Sequence, residues 1–399
     1  MRAERRLLIY SHDSFGLGHL RRCRTIAHDL VGRFGNLSVL ILSGSPIIGS
    51  FDFKSRVDFV RVPGVIKLRN GEYTALNLHI DIDRTVAIRS SIIQHTADVF
   101  EPDLFIVDKE PLGLRGEVKQ TLELLRAKGT RCVLGLRDVM DEPQVLLEEW
   151  ERKGVFPALR DLYHDIWVYG LPEIFDPVAE VPGFAEVAAK VHYTGYLRRE
   201  VPASVVPTST NDLPEGPFIL VTTGGGGDGE DLVDWIVNAY EQVSDLAINA
   251  VIVLGPFMPP DLRATFQARI EKIPSLRAIV FESNMELLFD RASAIVGMGG
   301  YNTFCEILSF GKPAIIVPRT VPRLEQYLRA ERAQQLGLVH MLPYEDDRDP
   351  GRMASMLQMI IGAAPPDPVL VARMLEGLER IATLAAPWLD ASLPEAANG

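Results

Sequence analysis

Apolar residues in this chain come in short runs, and between the runs lie stretches with helical spacing. Residues 6–10, 37–42 and 57–62 read as strands, with a helix over 20–34 between the first two. Leu104-Phe105-Ile106-Val107 reads as a buried strand followed by a helix over 116–128, and strands over 132–136 and 165–169 continue the set. Strands separated by helices imply a parallel sheet covered on both faces. The pattern halts at 202–217, where Pro202, Pro207, Pro214 and Pro217 alternate with Ser, Thr and Asn. Such a composition marks a domain boundary. The alternation then restarts with strands at 218–221, 250–254, 277–281, 292–296 and 313–317, a helix over 231–243 and a last helix over 368–384. The expectation is two α/β units of similar size. The first is a domain over 1–200 and the second a domain over 201–365. A C-terminal helix in 366–399 is free to belong to either unit, and so to cross back to the first. Ligands of open α/β sheets bind beyond the carboxyl ends of the strands, and two such units side by side place a cleft between them.

Bulk composition narrows the function classes. The length of 399 residues suits two domains, and 47% hydrophobic content suffices for large cores. A formal charge of −12 argues against general nucleic-acid binding, which needs a basic surface. Three cysteines, Cys23, Cys132 and Cys305, form no C-x-x-C pair and no zinc-ligand spacing, so a reduced, cytoplasmic compartment is expected. The apolar run 7–10 is too short for a signal-peptide core, and no stretch approaches bilayer length. Peripheral contact at the inner face of a membrane stays open.

The richest segment is Gly297-Met298-Gly299-Gly300-Tyr301-Asn302-Thr303-Phe304-Cys305-Glu306. A strand that breaks at glycines into a helix start is a ready anion site, because backbone N–H groups and the helix dipole both favour a phosphate there. Glu306 lies about one turn into that helix, within reach of a ligand seated at its start. Gly311-Lys312-Pro313 and then Glu325-Gln326 come after it. A second glycine run, Thr222-Thr223-Gly224-Gly225-Gly226-Gly227-Asp228-Gly229, comes directly after strand 218–221. It satisfies G-x-G-x-x-G, but the next strand ends at Leu254-Gly255 without the acidic residue of a dinucleotide fold. It also lacks the Lys-Ser/Thr of a Walker loop.

In the first unit, Ser11-His12-Asp13-Ser14-Phe15-Gly16-Leu17-Gly18-His19 comes after the first strand. His19 stands at a helix start, where the dipole disfavours imidazolium. It is therefore expected neutral, as a general base needs to be. A histidine that only caps or packs the helix fits the same pattern. Asp108-Lys109-Glu110 and Arg137-Asp138 each stand after a strand. They are candidates to bind acceptor hydroxyls, to assist His19, or merely to cap helices. No metal-ligand signature is present.

These motifs together resemble glycosyltransferases of the GT-B fold, closest to the group typified by the MurG N-acetylglucosaminyltransferase. The likeness runs over 218–342 and rests on Gly299-Gly300, Thr303, Glu306, Gly311-x-Pro313, Pro318 and Glu325-Gln326. It implies an α/β GT-B architecture, with two Rossmann-like domains facing across a cleft. The second domain would hold a nucleotide-diphosphate sugar, UDP-linked in the first instance. Gly299, Gly300, Tyr301, Asn302 and Thr303 would hold the diphosphate, Glu306 the ribose, and Glu325 and Gln326 the sugar. Phe281 and Glu282 would hold the base, while Gly18, Gly224, Gly225 and Gly226 approach the donor. His19 is the implied general base, with Asp108 and Asp138 as further catalytic candidates. The implied activity is a hexosyl transfer to a hydroxyl acceptor, whether saccharide, lipid-linked or small molecule. It would proceed without metal or cofactor. Gly16-x-Gly18-His19-x-x-Arg22-Cys23 is similar as well to PseG-type nucleotide-sugar hydrolases. An NAD-dependent oxidoreductase and a non-catalytic nucleotide-binding protein remain as rivals. One departure stands out: Arg329 occupies a position where the family commonly has Asn.

Overall fold

The computed structural model describes residues 4–12, 18–67, 72–201, 213–243, 246–344 and 348–390. Gly16, Asp13 and most of the proline-rich connection lie outside the described residues. The described chain divides into two compact units, one of Met1–Leu197 with Glu376–Gly399 and one of Arg198–Leu375.

Unit 1 is built on strands β1 (Arg5–Ser11), β2 (Leu37–Ser43), β3 (Val57–Arg61), β6 (Leu104–Asp108), β7 (Arg131–Arg137), β8 (Asp165–Tyr169) and β9 (Val191–Tyr193). A separate hairpin is made by β4 (Val65–Lys67) and β5 (Tyr73–Ala75). The sheet order is β3-β2-β1-β6-β7-β8-β9, and every described pairing in it is parallel. Alternation divides the side chains between two layers. Leu8, Tyr10, Phe105, Val107 and Leu134 pack with Ile93 and Ala97 of α2 (Ile82–Phe100) and with Leu122 and Leu125 of α3 (Lys119–Ala127). Helices α1 (Gly18–Arg33) and α14 (Gly377–Leu389) pack against β1 and against each other.

Unit 2 holds β10 (Phe218–Thr222), β11 (Asn249–Val253), β12 (Leu276–Ile279), β13 (Ala294–Gly297), β14 (Ala314–Ile316) and β15 (His340–Met341). Their order is β12-β11-β10-β13-β14-β15, all parallel. Counted within the unit this is 3-2-1-4-5-6, the doubly wound order of dinucleotide-binding folds. Ile219, Val221, Ile252 and Val296 pack with α7 (Glu230–Gln242), α8 (Pro260–Ile270) and α12 (Pro350–Ile360). Complete burial of each such aliphatic side chain contributes about 1.5–3 kcal/mol.

Two expected helices differ. Helix α3 begins at Lys119, because Leu114–Gly116 forms a 3-10 turn with Arg115 at φ 50°. The single helix expected over 368–384 is two, α13 (Pro368–Met374) and α14. The break serves a close approach. Gly377 donates its N–H to the Tyr196 carbonyl at 3.1 Å, and a Cβ there would lie 2.6 Å from the carbonyl oxygens of Gly195 and Tyr196.

Candidate functional site

In a doubly wound sheet the ligand crevice opens where the strand order reverses. In unit 2 that point lies between β10 and β13, whose last residues Thr222 and Gly297 are paired neighbours. Both glycine segments leave the sheet there. Gly224 and Gly226 have φ of +68° and +84°, and a Cβ on Gly226 would stand 2.3 Å from the Leu254 carbonyl oxygen. Glycine is thus required for this loop to lie against the end of β11, where Phe257 N–H donates to the Gly225 carbonyl at 3.0 Å.

The β13 exit is tighter. Gly299 has φ +75°, and a Cβ on it would meet Ile316 Cγ2 at 2.6 Å. Gly300 is the N-cap of α10 (Tyr301–Phe310) and brings no side chain to cap it, with open space where a Cβ would project. Tyr301, Asn302, Thr303 and Glu306 are buried along the first turns. Two guanidinium groups adjoin this helix start. Arg199 donates from Nη2 to Asn302 Oδ1 at 2.8 Å, and its backbone N–H donates to Ser309 Oγ at 2.8 Å. Arg329, on α11 (Glu325–Gln335), donates from Nη1 to the Gly299 carbonyl at 2.9 Å.

The remaining donor candidates surround the same edge. Phe281 and Glu282 come after β12, and Glu282 accepts from Asn284 N–H at 2.8 Å, closing a turn before α9 (Met285–Arg291). Glu325 and Gln326 open α11 and are buried. An arginine absent from the sequence-based set, Arg319, gathers these pieces. Its Nη2 is 3.1 Å from Glu325 Oε1, its Nε 2.7 Å from Asp228 Oδ2, and its N–H donates to Gln326 Oε1 at 3.1 Å. Partial desolvation raises the Asp228 carboxyl above its usual range against the attraction of Arg319, although about half of the side chain (54%) stays exposed.

Unit 1 has its own reversal point, between β1 and β6. Gly18 and His19 open α1 just beyond β1, and Asp108 ends β6. His19 Nδ1 lies 2.5 Å from Asp108 Oδ2. So short an approach to a carboxylate oxygen needs a proton between them, so Nδ1 carries the hydrogen and Nε2 the lone pair. Arg22 Nη2, 3.1 Å from the same Nδ1, is then a neighbouring charge and not a donor to it. Asp108 also accepts from Arg22 Nε at 2.8 Å and Nη2 at 2.7 Å. Burial opposes the Asp108 charge, but Arg22 and then His19 outweigh it and hold the carboxyl well below its usual range. Burial lowers the His19 pKa from 6.5, against the pull of Asp108. The His19 side chain retains 14% exposure, whereas Asp108 and Arg22 retain 1% each. Of the three, the imidazole is the most exposed.

Asp138 is placed differently. It is fully buried and accepts from the Tyr196 hydroxyl at 2.7 Å. The geometry favours Asp108 over Asp138 as the partner of His19. A buried chain backs the site: His12 Nδ1 is 3.2 Å from the Tyr10 hydroxyl, which donates to Glu117 at 2.5 Å, and Glu117 is paired with Arg89. Among the described residues no group of three or more His, Cys, Asp or Glu could hold a metal ion, and no helix is long and apolar enough to cross a membrane.

Residues 219–361, which contain both glycine segments and α11, match the model of the glycosyltransferase family 28 C-terminal domain. That segment is similar to the family 28 carboxyl-terminal domain, and the fold is that of GT-B proteins. A relative from Rhodopseudomonas palustris (strain BisA53) is named UDP-N-acetylglucosamine–N-acetylmuramyl-(pentapeptide) pyrophosphoryl-undecaprenol N-acetylglucosamine transferase. It is 26% identical over 139 residues, 33% of this chain and 36% of that protein. The match thus spans about a third of the relative's length. In three dimensions the fold is similar to Medicago truncatula UGT71G1 solved with UDP-glucose, with TM-score 0.64, 12% identity, and 96% of this chain and 97% of that one covered. It is similar also to Acinetobacter baumannii MurG, with TM-score 0.56, 11% identity, and coverage of 96% and 98%. The matched segment contains the glycine turn, α10 and α11. The His19–Asp108 pair lies outside the matched segment.

Proposed function

We propose that the protein is a glycosyltransferase that moves a sugar from a nucleotide-diphosphate donor, UDP-linked in the first instance, to a hydroxyl acceptor. The observation that carries this reading is the pair of glycine segments at the reversal point of the family 28-like segment, one of which runs directly into α10. In this reading the diphosphate sits at Gly299 to Thr303, the ribose at Glu306, the sugar at Glu325 and Gln326, and the base at Phe281 and Glu282. His19 Nε2 takes the proton of the acceptor hydroxyl as its oxygen bonds to C1 of the sugar. The bond from C1 to the diphosphate oxygen breaks, and its electron pair leaves with the nucleoside diphosphate. Helix N–H groups and the dipole of α10 stabilise that charge, so no metal is required. Asp108 holds the imidazole in the needed tautomer.

The Rhodopseudomonas relative is named for an undecaprenol-linked acceptor, which supports testing lipid-linked hydroxyls beside saccharides and small molecules. A cytoplasmic enzyme touching the inner membrane face fits that acceptor class. A hydrolase is the second reading, favoured by the Gly18-His19-x-x-Arg22-Cys23 start of α1. The same imidazole would then activate water.

The test is calorimetric titration of the full chain with UDP, GDP, dTDP, CMP and NAD, repeated with Glu306→Ala. One nucleoside diphosphate should bind, and the variant should lose it. The matching sugar nucleotide, incubated without acceptor, then separates transfer from hydrolysis by whether free sugar appears. Binding of NAD alone, or of nothing, would remove the transferase reading.

A further inference from the structure

Arg329 has no solvent exposure and donates to the carbonyl of Gly299 at 2.9 Å. Guanidinium keeps its charge at any pH a protein tolerates, and an internal charge is costly unless its surroundings use it. The carbonyl it holds belongs to the peptide that joins Gly299 to Gly300. In a trans peptide the C=O and N–H point in opposite directions. A donor fixed on the oxygen therefore fixes the direction of the Gly300 N–H on the far side. It also polarises that peptide, because hydrogen bonds in a chain strengthen one another. Gly299 has φ +75°, and Ile316 fills the space into which its Cβ would project, so the turn lies close against β14, while Gly300 opens onto empty space at the start of α10.

We infer that Arg329 is a positioning residue for the nucleotide diphosphate: it locks and polarises the Gly299–Gly300 peptide so that the Gly300 N–H donates to a phosphate oxygen. This rests on the donor reading given above and adds the residue that tunes it. The role is specific to the diphosphate. It makes no claim on the base or the ribose, which the other donor candidates serve.

The experiment is titration of the full chain and of Arg329→Met, Arg329→Gln and Arg329→Lys with UDP, UMP and uridine, with thermal melts as a folding control. Arg329→Met should lose about tenfold or more in UDP affinity, the scale of a hydrogen bond to a charged group, and much less for uridine. Arg329→Gln keeps a donor without the charge, and Arg329→Lys keeps the charge without the planar fork. Both should fall between wild type and Arg329→Met for UDP. Equal losses for UDP and uridine would mean a merely structural role and overturn the inference, as would an unchanged UDP affinity. Should Arg329→Met fail to fold, the UDP-to-uridine affinity ratio of Arg329→Lys decides: a several-fold fall supports the inference, an unchanged ratio overturns it. A wild-type protein that binds no nucleoside diphosphate defeats the donor reading itself, whereas wild-type UDP binding with unchanged ratios in the variants defeats only the role of Arg329.

Discussion

His19 Nδ1 and Asp108 Oδ2 lie 2.5 Å apart although 89 positions separate them in the chain. The approach is made by the sheet. Strands β1 and β6 are hydrogen-bonded neighbours, with Tyr10 opposite Val107, so the start of α1 just beyond β1 meets the end of β6. Arg22, three residues after His19 on α1, clamps the same carboxylate from the helix side. A buried carboxylate held by arginine on one edge and imidazole on the other has little freedom to turn. That rigidity is what an orienting group requires.

Replacing that carboxylate gives the first prediction. Asp108→Asn offers an amide that can donate to Nδ1 and so favour the wrong tautomer, which should lower kcat by about 10²–10⁴-fold. Arg22 would lose its buried partner, at about 3–5 kcal/mol of stability, so rates belong well below the melting point. The pH profile carries the sign. Burial lowers the pKa of His19 from 6.5, so the base stays deprotonated through neutrality, and wild-type kcat/KM should fall only on the acid side. An acid limb centred above 6.5 would contradict His19 as that base.

His12 should make the fold acid-sensitive. Burial pushes its pKa from 6.5 down to about 3, while its Nδ1 lies against the Tyr10 hydroxyl. Below pH 6.5 the unfolded chain gains a proton here that the folded chain refuses until about pH 3. This one group therefore removes about 1.4 kcal/mol of stability per pH unit as pH falls through that window. Urea midpoints of wild type and His12→Gln, taken from pH 7 to pH 4, should converge or cross as the solution is acidified. Parallel curves would refute the assignment.

Gly299 tests the turn itself. Alanine at φ +75° costs about 1–2 kcal/mol in backbone strain. Its Cβ, 2.6 Å from Ile316 Cγ2, adds about 1–3 kcal/mol of overpacking. Gly299→Ala combined with Ile316→Ala relieves the second cost and leaves the first. A double-mutant cycle should show favourable coupling of about 1 kcal/mol or more in stability, while UDP affinity stays low. Wild-type UDP affinity in Gly299→Ala would move the phosphate seat elsewhere.

The strands were legible because most are uninterrupted apolar runs such as Leu104-Phe105-Ile106-Val107, and the structure ends most of them within two residues of the expected bounds. The glycine turn before α10 was legible because a buried strand that breaks at Gly299-Gly300 has few other uses. Helix α2 was hidden by its own buried face, which runs Thr85, Arg89, Ile93, Ala97: two of its four positions are polar, so hydrophobic spacing could not reveal it. The break before α14 was hidden for another reason. It depends on Gly377 meeting the Gly195–Tyr196 backbone, a contact made only when the sheet exists. The same holds for the site. Asp108 and Asp138 look alike in sequence, each at a strand end, and only strand order makes one the partner of His19 and the other the partner of Tyr196. Arg319 gave no signal, since its side-chain and backbone partners Asp228, Glu325 and Gln326 lie on two different elements.

Arg319 therefore supplies the last prediction. It joins the glycine loop to α11 through Asp228 and Glu325, and its backbone orients Gln326. Asp228 is half exposed, so the ion pair contributes little to global stability, about 0–1 kcal/mol. Its effect should lie in holding the loop and the two α11 residues in register before the donor arrives, which lowers the ordering cost of binding. Arg319→Gln should thus raise the donor KM about tenfold with a much smaller change in kcat, and melt within a few degrees of wild type. Arg319→Lys can reach one carboxylate but cannot fork to two, and should fall between them. An unchanged KM, or a loss confined to kcat, would show that the loop needs no such tie.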